Sequence, residues 1–125
     1  MSISGCDGEP SIEFARNLAE IGIDLIDCSS GGSVPRATIP VGPGYQVPLA
    51  EAIRKEAGIP TGAVGMIVEP AQAQDIIARG QADVVLLARA MLRDPYWPLH
   101  AAEALGATAA APWPVQYVRA RPAPK

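Results

Sequence analysis

The sequence predicts an α/β fold of about four βα units, and three observations predict it. Val84-Val85-Leu86-Leu87 is apolar without polar alternation, the pattern of a parallel strand covered on both faces by helices. Runs of helical spacing, such as Phe14, Leu18 and Ile21, alternate along the chain with short strand-like runs. Loops of small residues follow the expected strands, as at Ser29 to Gly32 and at Gly65. Hydrophobic residues make up 49% of the 125, enough for one domain with a modest core.

The elements follow in order. Ser2 to Ser4 reads as an opening strand, and the Gly-rich turn at Gly5 to Gly8 leads to a helix capped near Ser11. Gly22 lies where a helix C-terminus expects glycine. Ile23 to Cys28 is the second strand. The loop Ser33 to Pro48 is rich in Pro and Gly and suits a segment facing a substrate. Leu49 to Ala57 reads as a helix, Thr61 to Val64 as a strand, Pro70 to Arg79 as a helix and Asp83 to Ala88 as the buried strand. A last helical element starts at Leu92-Arg93-Asp94-Pro95 and runs to about Leu105, and a tail rich in small residues and proline follows Ala107.

This order implies right-handed parallel crossovers, hence a small open sheet or half of a (βα)8 barrel. A half-barrel leaves two strand edges and apolar faces that a partner must cover. Because the chain opens on a strand, the expectation is a half-barrel cut or separated from a larger enzyme. It places the half-barrel in residues 1–107 and a Pro/Ala-rich C-terminal arm in residues 108–125.

A net charge of −3 argues against nucleic-acid and polybasic membrane surfaces and leaves a small molecule or another subunit as the expected partner. Cys6 and Cys28 have neither metal-site nor CxxC spacing, and no signal peptide or membrane span is visible. Both read as small buried residues of a reduced cytoplasmic protein.

Three segments offer peptide groups to an anion: Ser30-Gly31-Gly32, Gly62 to Met66, and Ala88-Arg89. Each follows an expected strand, so all would converge on the carboxyl-terminal face of a barrel. Arg89 adds a charge-assisted bidentate donor there. Taken singly, each glycine loop is more simply a tight turn, and Arg89 has Asp27, Glu69 and Asp83 as alternative partners. No catalytic set is complete: His100 reads as a surface or half-buried helix residue, and Ser29 and Ser30 lack His and acid partners. No metal-ligand cluster and no GxGxxG after the first strand is present. In the tail, Trp113 to Arg119 packs on its own domain or forms an arm that docks on a second subunit.

Four ordered motifs, IDLIDCSSGG, GPGYQVPLAEAIRKEAGIPTGAVGMI, ADVVLLARAMLRDPYWPLHAAEALG and PWPVQYVRA, resemble the C-terminal half of the Old Yellow Enzyme family. The branch they resemble is that of bacterial NADPH dehydrogenases and xenobiotic reductases. The resemblance covers about Ser2 to Ala120 and implies the C-terminal half of a TIM barrel that binds FMN, takes hydride from NADPH and reduces activated alkenes such as enones. It implies that Arg89 binds the FMN phosphate, with Ala88 supplying backbone, and Gly65, Met66, Ser30, Gly31 and Gly32 bordering the same pocket. Ala88 stands where the family usually has Gly. The resemblance also implies that Arg119 reaches a neighbouring subunit's site, so a homo-oligomer or a complementary N-terminal half is the expected partner. The family's flavin-ring and substrate residues belong to its N-terminal half and have no counterpart here, and Ser2 stands where a flavin-contacting arginine is usual. The expectation is a phosphate grip without catalytic residues. The alternative is a non-catalytic fragment that serves only as an assembly partner, or the product of a broken gene.

Overall fold

Parallel strand pairing organises the computed structural model, which describes residues 2–3, 8–29 and 42–123. Four strands, β1 (Ser2–Ile3), β2 (Ile26–Cys28), β3 (Thr61–Val64) and β4 (Val84–Leu86), lie side by side in chain order. The register is continuous: Ile3 lies beside Cys28, Cys28 beside Ala63, and Ala63 beside Val85. Helices α1 (Gly8–Glu20), α2 (Val47–Ala57) and α3 (Pro70–Ala78) alternate with the strands. Two short helices, α4 (Arg89–Arg93) and α5 (Trp97–Ala104), and a 3₁₀ turn over Val115–Ala120 follow β4.

Local chemistry sets the helix ends. Proline in the first turns of α2 and α3 forfeits no helical hydrogen bond. Gly58 ends α2 in the left-handed region, at φ +70°. The single last helix expected from Leu92 is instead two helices, because Asp94 is extended (φ −138°, ψ 93°) ahead of Pro95, whose ring disfavours helical backbone in the preceding residue. Helix α1 also starts earlier than expected, so Ser11 is buried within it rather than capping it.

Alternation along the strands separates two sheet faces. Ile26, Cys28, Thr61 and Ala63 are buried on one face, with Val85 and Leu87 packed partly buried against the same core. The helices supply Ile12, Ala15 and Leu18 from α1, Val47, Ala50 and Ile53 from α2, and Ala73 and Ile76 from α3. Thr61 Oγ1 donates to the Ala50 carbonyl at 3.2 Å, so a buried hydroxyl is satisfied across the layer. In α1 the buried stripe is Ile12, Ala15 and Leu18, and Phe14 and Ile21 of the expected stripe are exposed.

The other face carries Asp27, Gly62, Val64, Val84 and Leu86. Here the sequence expectation fails: β4 is not covered on both faces, and Val84 is 38% exposed. Strand β4 closes the sheet with only β3 beside it, and the helical layer packs against the opposite face. An α/β wall of parallel strands in chain order is consistent with part of a barrel. No helix among the described residues is long and apolar enough to cross a membrane.

Candidate functional site

Because Val64 lies beside Leu86, the segments after β3 and β4 leave the same edge of the sheet. Gly65 and Met66 follow the first strand, and Ala88 and Arg89 the second. In parallel α/β folds this carboxyl-terminal edge is where ligands collect.

The turn after β3 is tightly built. Gly65 has φ +113°, and its carbonyl accepts the Gly44 N–H at 3.0 Å. A Cβ on Gly65 would lie 2.7 Å from Gln46 Nε2 and 2.9 Å from Tyr45 Cε1, so only glycine fits both the backbone and the space. Met66 is the sole non-glycine residue with positive φ among the described residues, at +50°, and its side chain is exposed. Gln72, in the first turn of α3, holds this conformation: its Nε2 donates to the Met66 carbonyl at 3.2 Å and its Oε1 accepts the Val68 N–H at 3.1 Å. Sequence reasoning missed Tyr45, Gln46 and Gln72. The Gly and Pro pattern at residues 42–44 announces a turn but not what the turn touches.

Arg89 opens α4 and is exposed, and its guanidinium makes no hydrogen bond or ion pair among the described residues. None of the three carboxylates that were its alternative partners pairs with it among the described residues. Asp83 Oδ2 accepts Arg54 Nε and the Thr61 N–H, both at 2.9 Å. Those bonds hold the Asp83 carboxyl below its ordinary range, the Arg54 bond contributing most. Asp27 Oδ1 is buried without a hydrogen-bond partner, and Glu69 precedes α3 without a side-chain cap bond. An arginine with no acceptor among the described residues can serve an external anion. Ala88, at φ −100° and ψ −80°, is outside the left-handed region, so its methyl group adds no backbone strain of that kind.

The remaining candidates divide. Gly62 is a packing glycine: a Cβ there would lie 3.1 Å from Leu86 Cδ1 and 3.3 Å from Val84 Cγ2. Ser30, Gly31 and Gly32 lie outside the described residues, as does Cys6. Cys28 is buried, and burial, with the neighbouring Asp27 charge, pushes its thiol up to about 11. His100 is a partly exposed residue of α5, with Nδ1 2.6 Å from Asp94 Oδ2. No metal-binding group of side chains occurs among the described residues.

The tail packs on α5 through Trp113, whose Nε1 donates to Glu103 Oε1 at 3.1 Å. Two grooves of about 390 and 590 Å³ flank this contact, both lined by Thr108 and Arg121 and neither by strand-end residues. Beyond Trp113, Val115, Tyr117, Val118 and Arg119 are exposed on the 3₁₀ turn. Among the described residues Arg119 has no hydrogen bond or ion pair to the strand ends.

Residues 4–107 match the model of the NADH:flavin oxidoreductase / NADH oxidase family. An NADPH dehydrogenase of Halalkalibacterium halodurans is 57% identical over 109 residues, covering 87% of this chain and 31% of the relative. One from Geobacillus thermodenitrificans is 54% identical over 108 residues, covering 86% and 31%, and one from Bacillus subtilis is 48% identical over 115 residues, covering 92% and 33%. The chain thus spans about a third of the length of the curated relatives it matches.

Proposed function

Because the chain belongs to the NADH:flavin oxidoreductase / NADH oxidase family, the Old Yellow Enzyme family of its four motifs, we propose that its strand ends grip the phosphate of FMN. The observation that supports this reading is the Arg89 guanidinium at the carboxyl edge of the sheet, which has no partner among the described residues. Arg89 forms the charge-assisted hydrogen bonds to the phosphate, and Ala88 contributes its backbone. Gly65 and Met66 shape the adjoining wall, pinned by Gln72, and Ser30, Gly31 and Gly32 border the same pocket from the preceding strand. When bound, FMN supplies hydride transfer between NADPH and an electron-poor alkene such as an enone. This chain holds and orients one end of the cofactor.

Residues 1–107 act as the C-terminal half of a (βα)8 barrel, and residues 108–125 as an arm. The sheet face bearing Asp27, Val84 and Leu86 is the barrel interior, closed by an N-terminal half. The exposed Tyr117, Val118 and Arg119 fit docking on a second subunit, with Arg119 directed to that subunit's site. The reading places the protein in the cytoplasm.

The test is complementation. The chain is mixed with the N-terminal two-thirds of the Bacillus subtilis relative and FMN, and enone-dependent NADPH oxidation is followed. The reading predicts turnover in the mixture and none in either part. A mixture that forms a stable complex without turnover favours an assembly partner over an enzyme half.

A further inference from the structure

Among the described residues, the polar side-chain contacts of the C-terminal arm with the rest of the fold converge on Glu103. Trp113 Nε1 donates to Glu103 Oε1 at 3.1 Å, and Arg121 Nε lies 3.6 Å from the same oxygen. The two contacts bracket the 3₁₀ turn from both sides, one just before Val115 and one just after Ala120. The Glu103 side chain is only 19% exposed, although it carries a carboxylate, and it projects from the last turn of α5. The His100 ring, one turn earlier on that helix, stands 6.3 Å from the Trp113 indole. No residue of the bracketed turn is buried. Its Val115, Tyr117 and Val118 side chains are half or more exposed, so their packing locates it only weakly.

We propose that Glu103 is the positioning residue of the arm: it anchors both flanks of Val115–Ala120 and thereby sets where Tyr117 and Arg119 stand. The two contacts divide the labour. The Trp113 bond is directional and fixes the entry of the turn, whereas Arg121 contributes charge at a distance too long for a hydrogen bond and holds the exit. With one carboxylate serving both, losing it frees the two flanks together. The consequence for Arg119 rests on the reading of the arm as a docking element; the bracket itself does not.

Tryptophan supplies a direct readout, because the chain has two, Trp97 and Trp113. In the full chain labelled with 5-fluorotryptophan, the Trp113 resonance is assigned by its loss in Trp113→Phe. Glu103→Ala should move that resonance towards the position of free fluorotryptophan and leave Trp97 in place. Glu103→Gln, which keeps an acceptor for the indole but removes the charge, should restore the Trp113 resonance. Cleavage by trypsin after Arg119 should rise by roughly tenfold or more in Glu103→Ala, as expected for losing a hydrogen bond to a charged group. An unmoved Trp113 resonance with unchanged cleavage in Glu103→Ala would overturn the proposal. A shift of both tryptophan resonances, meaning general unfolding, would also count against it. Arg119→Ala separates the two ideas: it should leave the Trp113 resonance unchanged, and its effect on self-association reports only on the docking reading.

Discussion

Arg54 of α2 and Asp83, just ahead of β4, are joined across 29 residues of sequence by a 2.9 Å hydrogen bond from Nε to Oδ2. The same guanidinium donates through Nη1 to the Gly80 carbonyl at 3.1 Å, and Asp83 Oδ2 also accepts the Thr61 N–H. One carboxylate thus ties the start of β3 to the approach of β4, with a helix as the third partner. The pair is partly solvent-exposed, so its Coulombic part adds little and its worth lies in the hydrogen bonds that the carboxylate accepts from Arg54 and Thr61.

Asp83→Ala should therefore lower stability at neutral pH by about 1 kcal/mol, the net value of one hydrogen bond. The sign of the pH dependence follows from the depressed Asp83 carboxyl. Its contribution is fully present above the unfolded carboxylate value near 4 and disappears as pH falls through the lower folded value. Thermal melts of both proteins from pH 7 down to pH 2 should show the gap closing only below about pH 4. A gap that is constant with pH would refute the assignment.

Cys28 should be inert in the folded chain. Its thiol is buried and raised to about 11, so almost no thiolate exists at pH 8. In a Cys6→Ser background, labelling by a thiol reagent should be limited by unfolding and become rapid in denaturant. Stoichiometric labelling within the mixing time under native conditions would contradict this placement.

Gly65→Ala should be costly for two independent reasons, a φ of +113° and a Cβ 2.7 Å from Gln46 Nε2. The expected loss is roughly 1–3 kcal/mol in urea unfolding. Met66→Gly relieves a positive φ at the next residue and should be neutral or stabilising by up to about 1 kcal/mol. Equal behaviour of the two variants would show that the turn is not held as described.

What the sequence made legible was periodic or punctuated by glycine and proline. The strand at Thr61–Val64 and the start of the helix at Pro70 carry such signals and appear where expected, while the strand expected over Asp83–Ala88 is shorter, Val84–Leu86, and the helix expected from Leu49 starts two residues earlier, at Val47. The register of α1 did not: Phe14 and Ile21 fit a helical stripe as well as Ile12, Ala15 and Leu18 do, and only packing against α2 selects between them. The exposure of Val84 was equally hidden, because an apolar run records that a strand is built for burial, not which face this chain covers by itself. At the candidate site, Arg89 was visible as a charge ending an apolar run. Its freedom from Asp83 was not, since that depends on Arg54 arriving from another helix. Gln72 and Gln46 gave no signal, because a glutamine on a helix or in a loop is ordinarily a solvated residue.

The proposed anchoring of a phosphate by Arg89 can be read out in a flavin titration. Intrinsic flavin fluorescence is followed as the chain is added to FMN and, separately, to riboflavin, which lacks the phosphate. Saturable quenching is expected with FMN and none with riboflavin. Arg89→Ala should weaken FMN binding by about 1.5–3 kcal/mol, roughly 10- to 150-fold. Equal binding of the two flavins, or FMN affinity unchanged in Arg89→Ala, would contradict it.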